Sequence, residues 1–165
     1  MEDSVHPTER PSGEGAIVPD TTEGSNPEDR LRVLCVDDYV ETADTEATLL
    51  RLVGFNSRAC YCGAMALRIA QEFRPYVCLI DLNMPGMEGD ELAIRLKRLP
   101  ELQPLLLVAI TAMSSREACE RTGAAGFDMH LVKPVDPQKL ISVVDALFQL
   151  REATLIGSKY DCSSQ

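Results

Sequence analysis

From residue 31 onwards, short apolar runs alternate with amphipathic segments, and this alternation strongly restricts the possible folds. The runs are too short for buried helices and are rich in β-forming residues, so each predicts a strand. They span residues 31–36, 77–80, 104–110 and 127–132, and a weaker, more polar strand at the edge of the sheet is expected over residues 55–60. The intervening segments carry apolar residues at helical spacing. Five consecutive βα units predict an α/β domain whose parallel sheet is covered by helices on both faces.

Glycine, proline and small polar residues indicate where these helices begin and end. Gly54 is expected just past the first helix, and Ser114 or Ser115 is expected to cap the fourth helix, which Gly123 closes after Thr122. Asp136 is placed to cap the last helix. That helix is expected to extend to about Ile156, after which Gly157 and the serine-rich end fray.

Residues 1–30 differ in composition from the rest of the chain. They contain four prolines, three glycines, eight acidic and two basic residues, with few apolar side chains. Because such a segment cannot offset its ordering entropy by burial, a disordered acidic tail is expected. A solvated leader is favoured over a tether or an autoinhibitory segment. The expected division is a tail over 1–30, a folded domain over 31–150 and a short C-terminal extension over 151–165.

Net charge and cysteine usage limit the classes of function. The formal charge of −10 and pI of about 4.6 argue against direct binding to nucleic acid or to an anionic membrane. No apolar run approaches the ~18 residues of a membrane span, and the N-terminus lacks a signal-peptide pattern, so a cytoplasmic protein is expected. Reduced thiols are expected for the six cysteines, since the lone Cys60-x-Cys62 pair is a weak zinc signal.

Polar residues follow four of the five expected strands: Asp37 and Asp38, Asp81, Thr111 and Lys133. In a parallel sheet these strand ends share one edge, where α/β proteins bind ligands. Crowded carboxylates favour a hard cation such as Mg²⁺, while a lysine and a hydroxyl suit an anionic phosphoryl group. A carboxylate can accept that group covalently. Taken alone, Asp81 is equally compatible with starting a turn; together these residues predict a phosphate-acceptor site.

These motifs resemble the receiver domain of two-component response regulators. The resemblance rests on five signatures in order and covers roughly residues 31–150: Asp37-Asp38, Asp81, Met84-Pro85-Gly86, Thr111-Ala112 and Lys133-Pro134. It implies a flavodoxin-like five-stranded parallel sheet of order 2-1-3-4-5, with five helices on both faces. That order would place Asp37 next to Asp81.

The resemblance also implies residue roles. Asp81 matches the phosphorylated residue, and Mg²⁺ would be held by Asp37, Asp38, Asp81 and the backbone carbonyl of Asn83. Thr111 and Lys133 match the hydroxyl and the ammonium that bind the phosphoryl group.

His130 matches the switch position, where the family usually has Tyr or Phe; the alternative is a strand histidine with no switching role. Asn83 and Met113 match positions that adjust loss of the phosphoryl group, and Met113 is expected to hinder the attacking water.

The implied partners are a sensor histidine kinase or phosphotransfer protein, and a downstream protein target contacted through residues 112–148. We expect a phosphoacceptor signalling domain rather than an enzyme, with no direct binding to nucleic acid or membrane. One alternative is a scaffold that keeps the receiver fold but signals without phosphorylation. The other is a Mg²⁺-dependent phosphohydrolase, which would require a further acid/base group and a substrate lid.

Overall fold

The computed structural model describes residues 31–112 and 116–160. Strand and helix alternate five times along this part of the chain, as the apolar pattern predicted. The strands are β1 Arg32–Val36, β2 Asn56–Cys60, β3 Val77–Asp81, β4 Leu106–Thr111 and β5 Met129–Val132; the helices are α1 Val40–Leu52, α2 Gly63–Phe73, α3 Gly89–Lys97, α4 Arg116–Ala125 and α5 Pro137–Tyr160, with a 3₁₀ turn at Pro100–Leu102. Expectations for residues 1–30, Met113, Ser114, Ser115 and residues 161–165 lie outside the described residues.

The five strands form one parallel sheet of order β2-β1-β3-β4-β5, which confirms the expected order. The central strand β3 is buried along its whole length, whereas the edge strand β2 is only partly buried. The near-continuous apolar sequence of β3 and the polar sequence of β2 reflect these positions, because a central strand is covered on both faces. β1 and β4 flank β3, so the ends of three strands meet near Asp81.

Helices cover both faces of the sheet. One core joins alternate strand residues to α2 and α3, through Ala66, Ala70, Leu92 and Leu96. The opposite core joins the other strand residues to α1 and α5, as in the packing of Leu50, Leu140 and Val144. The chain that the structure describes is therefore a three-layer α/β domain, and the carboxyl ends of its strands remain open for a site.

The prediction that Gly123 ends the fourth helix is wrong. α4 continues through Gly123 to Ala125, and Gly126 follows with φ of +86°. The Gly126 N–H donates to the Gly123 carbonyl at 3.2 Å, and the Phe127 N–H donates to the Thr122 carbonyl at 3.0 Å. This paired pattern is a Schellman cap, which requires a left-handed residue that Gly126 supplies without strain. Phe127 consequently belongs to the cap rather than to β5.

The last helix also runs further than expected. α5 passes through Gly157 and ends at Tyr160, because an internal glycine costs a helix only about 1 kcal/mol. At its start, the Lys139 N–H donates to Asp136 Oδ1 at 3.0 Å, which confirms the predicted N-cap. Gly54, with φ of +100°, follows α1 as predicted.

Candidate functional site

Three carboxylates meet where β1 and β3 end. Asp37 follows β1 and is 2% exposed, Asp81 ends β3 and is 7% exposed, and Asp38 is exposed. One oxygen from each lies within 4.8 Å of the others. The parallel pairing of β1 with β3 creates this proximity, because their carboxyl ends reach the same edge together. The expected juxtaposition of Asp37 and Asp81 is present.

Lys133 joins this cluster from β5. Its ammonium donates to Asp37 Oδ2 at 2.7 Å and lies 3.4 Å from Asp81 Oδ1. The Lys133 backbone N–H donates to the Thr111 carbonyl at 2.8 Å, which fixes the residue beside the end of β4. The other oxygen of Asp37 accepts the Tyr39 N–H at 2.8 Å. One cation therefore bridges two buried acids that would otherwise repel each other.

Burial and neighbouring charges shift the pKa values of Asp81 and Lys133. Burial raises the pKa of Asp81, although the Lys133 ammonium opposes that rise; the negative charge of Asp37 adds to it. Burial works against the charged form of Lys133, but the hydrogen bond to Asp37 and the charges of both aspartates outweigh burial and raise its pKa. The Lys133 ammonium therefore offsets only part of the energetic cost of burying the negative charge of Asp81.

The loop after β3 lies close against the strand end. The Asn83 backbone N–H donates to the Asp81 carboxylate, and the Asn83 side chain is exposed. Gly89 begins α3 so close to the strand that a Cβ there would lie 2.8 Å from Leu82 Cα. The Gly89 N–H donates to the Leu82 carbonyl at 2.9 Å. This close approach keeps the loop beside Asp81, because glycine alone fits without displacing the backbone.

Thr111 and His130 lie on β4 and β5, on the side of the sheet that faces α3 and α4. Thr111 is fully buried, and His130 is partly buried opposite Ala109 in the strand pairing. Residues two apart on a strand share a face, so His130 is the diagonal neighbour of Thr111 across β4 and β5. The structure brings the ends of β1, β3, β4 and β5 to one edge of the sheet, and with them Asp37, Asp38, Asp81, Thr111 and Lys133. His130 lies on β5, paired with Ala109, two residues before the end of the strand pair at Thr111 and Val132.

Sequence reasoning missed Glu46, a fourth acid beside the cluster. Its pKa is raised from 4.5 to about 7, chiefly by burial and further by the charges of Asp37 and Asp81, while Lys133 opposes the rise. Glu46 lines a cavity of about 620 Å³ with Lys133. The signal was available: Glu46 lies three residues after Ala43 and four before Leu50, on the buried stripe of α1.

Arg121 was also missed. From α4 its guanidinium contacts Glu88 and Asp90 at the start of α3, each at 2.8 Å. Its hydrogen bond and charge lower the pKa of Asp90, although partial burial opposes this. The contact connects α4 to the segment that follows the Asp81 loop. No local pattern indicates it, because the partners are more than thirty residues apart.

Comparisons with known proteins agree with the fold. The family model described as the response regulator receiver domain matches residues 33–145. The transcriptional regulatory protein PrrA of Mycobacterium leprae is 35% identical over 127 residues, covering 77% of this chain and 54% of PrrA. The DNA-binding response regulator MtrA of Mycolicibacterium paratuberculosis is 32% identical over 117 residues, covering 71% and 51%.

A solved structure of the chemotaxis protein CheY4 of Vibrio cholerae superposes with a TM-score of 0.69 at 27% identity, covering 72% of this chain and 98% of CheY4. A CheY-like receiver domain from Methanospirillum hungatei gives a TM-score of 0.67 at 25% identity, covering 75% and 98%.

The fold and the acidic site define a phosphorelay signalling domain. The chain belongs to the response regulator receiver family. It spans about half the length of PrrA and of MtrA. Among the residues that the structure describes, no helix has the length and apolar character needed to cross a membrane.

Proposed function

We propose that Asp81 accepts a phosphoryl group from the phosphohistidine of a sensor kinase or phosphotransfer protein. The observation that carries this proposal is the bridging of Asp37 and Asp81 by Lys133, which puts a cation where phosphoryl oxygens would arrive. An Asp81 oxygen attacks phosphorus as the P–N bond of the donor breaks, and the histidine nitrogen leaves with the bonding electrons. Lys133 offsets charge on the transferred oxygens.

The acidic residues fit a hard divalent cation. Three carboxylates from adjoining strand ends supply oxygen ligands within reach of one ion, and exposed Asp38 leaves an open side for water. We assign Asp37, Asp38, Asp81 and the backbone carbonyl of Asn83 as ligands of Mg²⁺. When bound, Mg²⁺ would offset negative charge on the phosphoryl oxygens. Asp37 holds the Lys133 ammonium at 2.7 Å, and that ammonium lies 3.4 Å from Asp81 Oδ1, where it can orient the accepting carboxylate.

The proposed switch rests on the family resemblance, and the shared sheet face of Thr111 and His130 supports it. The Thr111 hydroxyl moves toward the new phosphoryl oxygen and vacates space on the face it shares with His130, which rotates inward. The residues around α4 then re-pack, and a partner binds through the surface of residues 112–148. Because contacts made only in the phosphorylated form bias two pre-existing states, this is a population shift.

The remaining assignments complete this proposal. Residues 31–150 form the receiver unit, residues 1–30 a separate segment and residues 151–165 an extension that α5 enters without a break. We expect the reaction to occur in the cytoplasm. Support comes from four cysteines that are free thiols: Cys35, Cys60, Cys62 and Cys78. The protein acts as a phosphoacceptor rather than as an enzyme, and it contacts neither nucleic acid nor membrane directly.

Intact-mass measurement with an acyl phosphate donor and Mg²⁺ tests this function. The native chain should gain a single phosphoryl group, and chelation of the metal should prevent the gain. Asp81→Asn should stay unmodified, whereas Asp145→Asn, an exposed position on α5, should be modified like the native chain. Failure of the folded native chain to gain the group would contradict the proposal and favour a phosphorylation-independent scaffold. Sustained release of phosphate from a phosphomonoester would indicate a phosphohydrolase instead.

A further inference from the structure

An apolar groove lies at the end of the sheet opposite the acidic site. It has a volume of about 380 Å³ and is formed where β1, β3, β4 and β5 begin. Leu31, Val77 and Leu106 contribute from the strand starts, and Leu147 and Leu150 from α5. Leu150 is 63% exposed, so the groove opens to the surface. Its size is at the lower end of ligand pockets, which are about 300–1,000 Å³, and suits a few aliphatic side chains.

The rim of this groove is cationic. The Tyr76 ring lies within 4.3 Å of the Arg32 guanidinium and 3.7 Å of the Arg151 guanidinium, measured to the ring centre. The acid on the rim, Asp128, accepts hydrogen bonds from Lys97 at 2.9 Å and from the Leu107 N–H at 2.8 Å. Its charge is therefore already matched by Lys97. An occupant combining aliphatic side chains with nearby carboxylates would complement both the floor and the rim.

Residues 1–30 combine aliphatic and acidic side chains, and the chain continues from them directly into the groove residue Leu31. They join the domain at Leu31, which lines the groove. Ile17 and Val18 are adjacent branched aliphatic residues in a segment otherwise poor in apolar side chains, and Glu14, Asp20 and other acids surround them. Charge complementarity and the point of attachment therefore favour this segment over an unrelated partner.

The length of chain between the aliphatic pair and the groove permits contact. Twelve residues, 19–30, separate Val18 from Leu31. Fully extended, they span at most about 40 Å, and as a flexible chain they would average roughly 20 Å end to end. Attachment at this distance gives an effective concentration on the order of millimolar, so even weak docking would be populated.

We propose that Ile17 and Val18 dock in the groove, with the neighbouring acids next to Arg32 and Arg151. Composition alone favoured a solvated leader over an autoinhibitory segment, whereas the groove and its cationic rim favour docking of two side chains, which does not require the whole segment to fold. The docked segment would cover Met129, which is exposed and belongs to the surface proposed for partner binding. The N-terminal segment would then compete with a partner for part of that surface.

Methyl NMR on the full chain tests the contact directly. Nuclear Overhauser effects are expected from Ile17 and Val18 to Leu106 and Leu150 methyls, with loss in the Ile17→Ser/Val18→Ser chain. Val5→Ser, an apolar change elsewhere in the same segment, should preserve them. In a mixture of two chains with different isotope labels, the nuclear Overhauser effects should connect only methyl groups of the same chain. Absence of these effects, or their appearance only between copies, would overturn the proposal.

A competition experiment gives a second, independent readout. A synthetic peptide of residues 14–24 should bind the Ile17→Ser/Val18→Ser chain at least threefold more tightly than the native chain, whose own segment fills the groove. Adding Leu150→Ser to that variant should weaken peptide binding at least threefold. Equal binding to native and double-variant chains, or no effect of Leu150→Ser, would contradict docking in this groove. Neither experiment uses phosphorylation, so failure here is distinct from failure of the proposed receiver chemistry.

Discussion

Glu46 should make the stability of this protein fall as pH rises. Its pKa is about 7 in the folded chain and 4.5 when solvated, so the folded state binds the proton more tightly. Below about pH 4.5, Glu46 is protonated in both the folded and the unfolded chain, so it does not make the free energy of unfolding depend on pH. As pH rises toward 7 the unfolded chain ionises first, and the free energy of unfolding falls. Above pH 7 the folded state also carries the buried charge, and the loss is complete.

The expected loss follows from the two pKa values. Raising a carboxyl pKa from 4.5 to about 7 corresponds to about 3 kcal/mol of stability between the protonated and ionised limits. Glu46→Gln cannot ionise, so the variant lacks this loss. Relative to the native chain, we expect the unfolding free energy of Glu46→Gln to gain about 2–3 kcal/mol between pH 5 and pH 8.

Urea unfolding in chelator at pH 5, 6, 7 and 8 measures this difference, since the unfolding of small single domains is generally two-state. Subtracting the native curve cancels groups common to both chains. Glu72→Gln, an exposed glutamate on α2, is the matched control and should show a difference that is independent of pH. If the Glu46→Gln difference were equally flat, the argument that burial and the neighbouring aspartates raise the Glu46 pKa would be refuted.

Three further predictions concern the loop, α4 and the bridging cation. Gly89→Ala should lower the unfolding free energy by about 1–3 kcal/mol, because its Cβ would lie 2.8 Å from Leu82 Cα. Gly123→Ala, whose Cβ would meet nothing within 4 Å, should instead gain up to about 1 kcal/mol; equal losses in urea unfolding would refute this steric argument. Arg121→Gln should change stability by less than about 1 kcal/mol, since its ion pairs are partly exposed, yet speed amide exchange in α4. Unchanged exchange would mean that this contact does not hold the helix. Lys133→Gln should destabilise the metal-free chain at neutral pH by about 1–3 kcal/mol, because buried Asp37 loses its cation, and Mg²⁺ should restore part of that loss in thermal unfolding. No recovery with Mg²⁺ would contradict the assignment of the acids as its ligands.

The sheet and the acidic cluster could be predicted because their signals are local and periodic. Four of the five strands are short apolar runs followed by a polar residue whose type suggests its chemistry, and the more polar β2 lies at the edge of the sheet. Once five βα units are expected, parallel strands bring Asp37, Asp81, Thr111 and Lys133 to one edge without further information.

The missed features depend on contacts between distant parts of the chain. The raised pKa of Glu46 depends on how α1 packs against the sheet, and Arg121 meets Glu88 and Asp90 only after α3 and α4 pack together. The end of α4 is a local error of another kind. Gly123 and Gly126 both offer a helix stop, and the hydrogen bonds of Gly126 and Phe127 decide between them.

The most direct test of the central claim is to locate the phosphoryl group on the chain. After reaction with an acyl phosphate and Mg²⁺, borohydride reduction converts an aspartyl phosphate to homoserine, which peptide mass spectrometry assigns to a position. We expect homoserine at residue 81 alone. Homoserine at residue 37 or 38, or at no position after a folded chain has been treated, would contradict the claim that Asp81 is the acceptor.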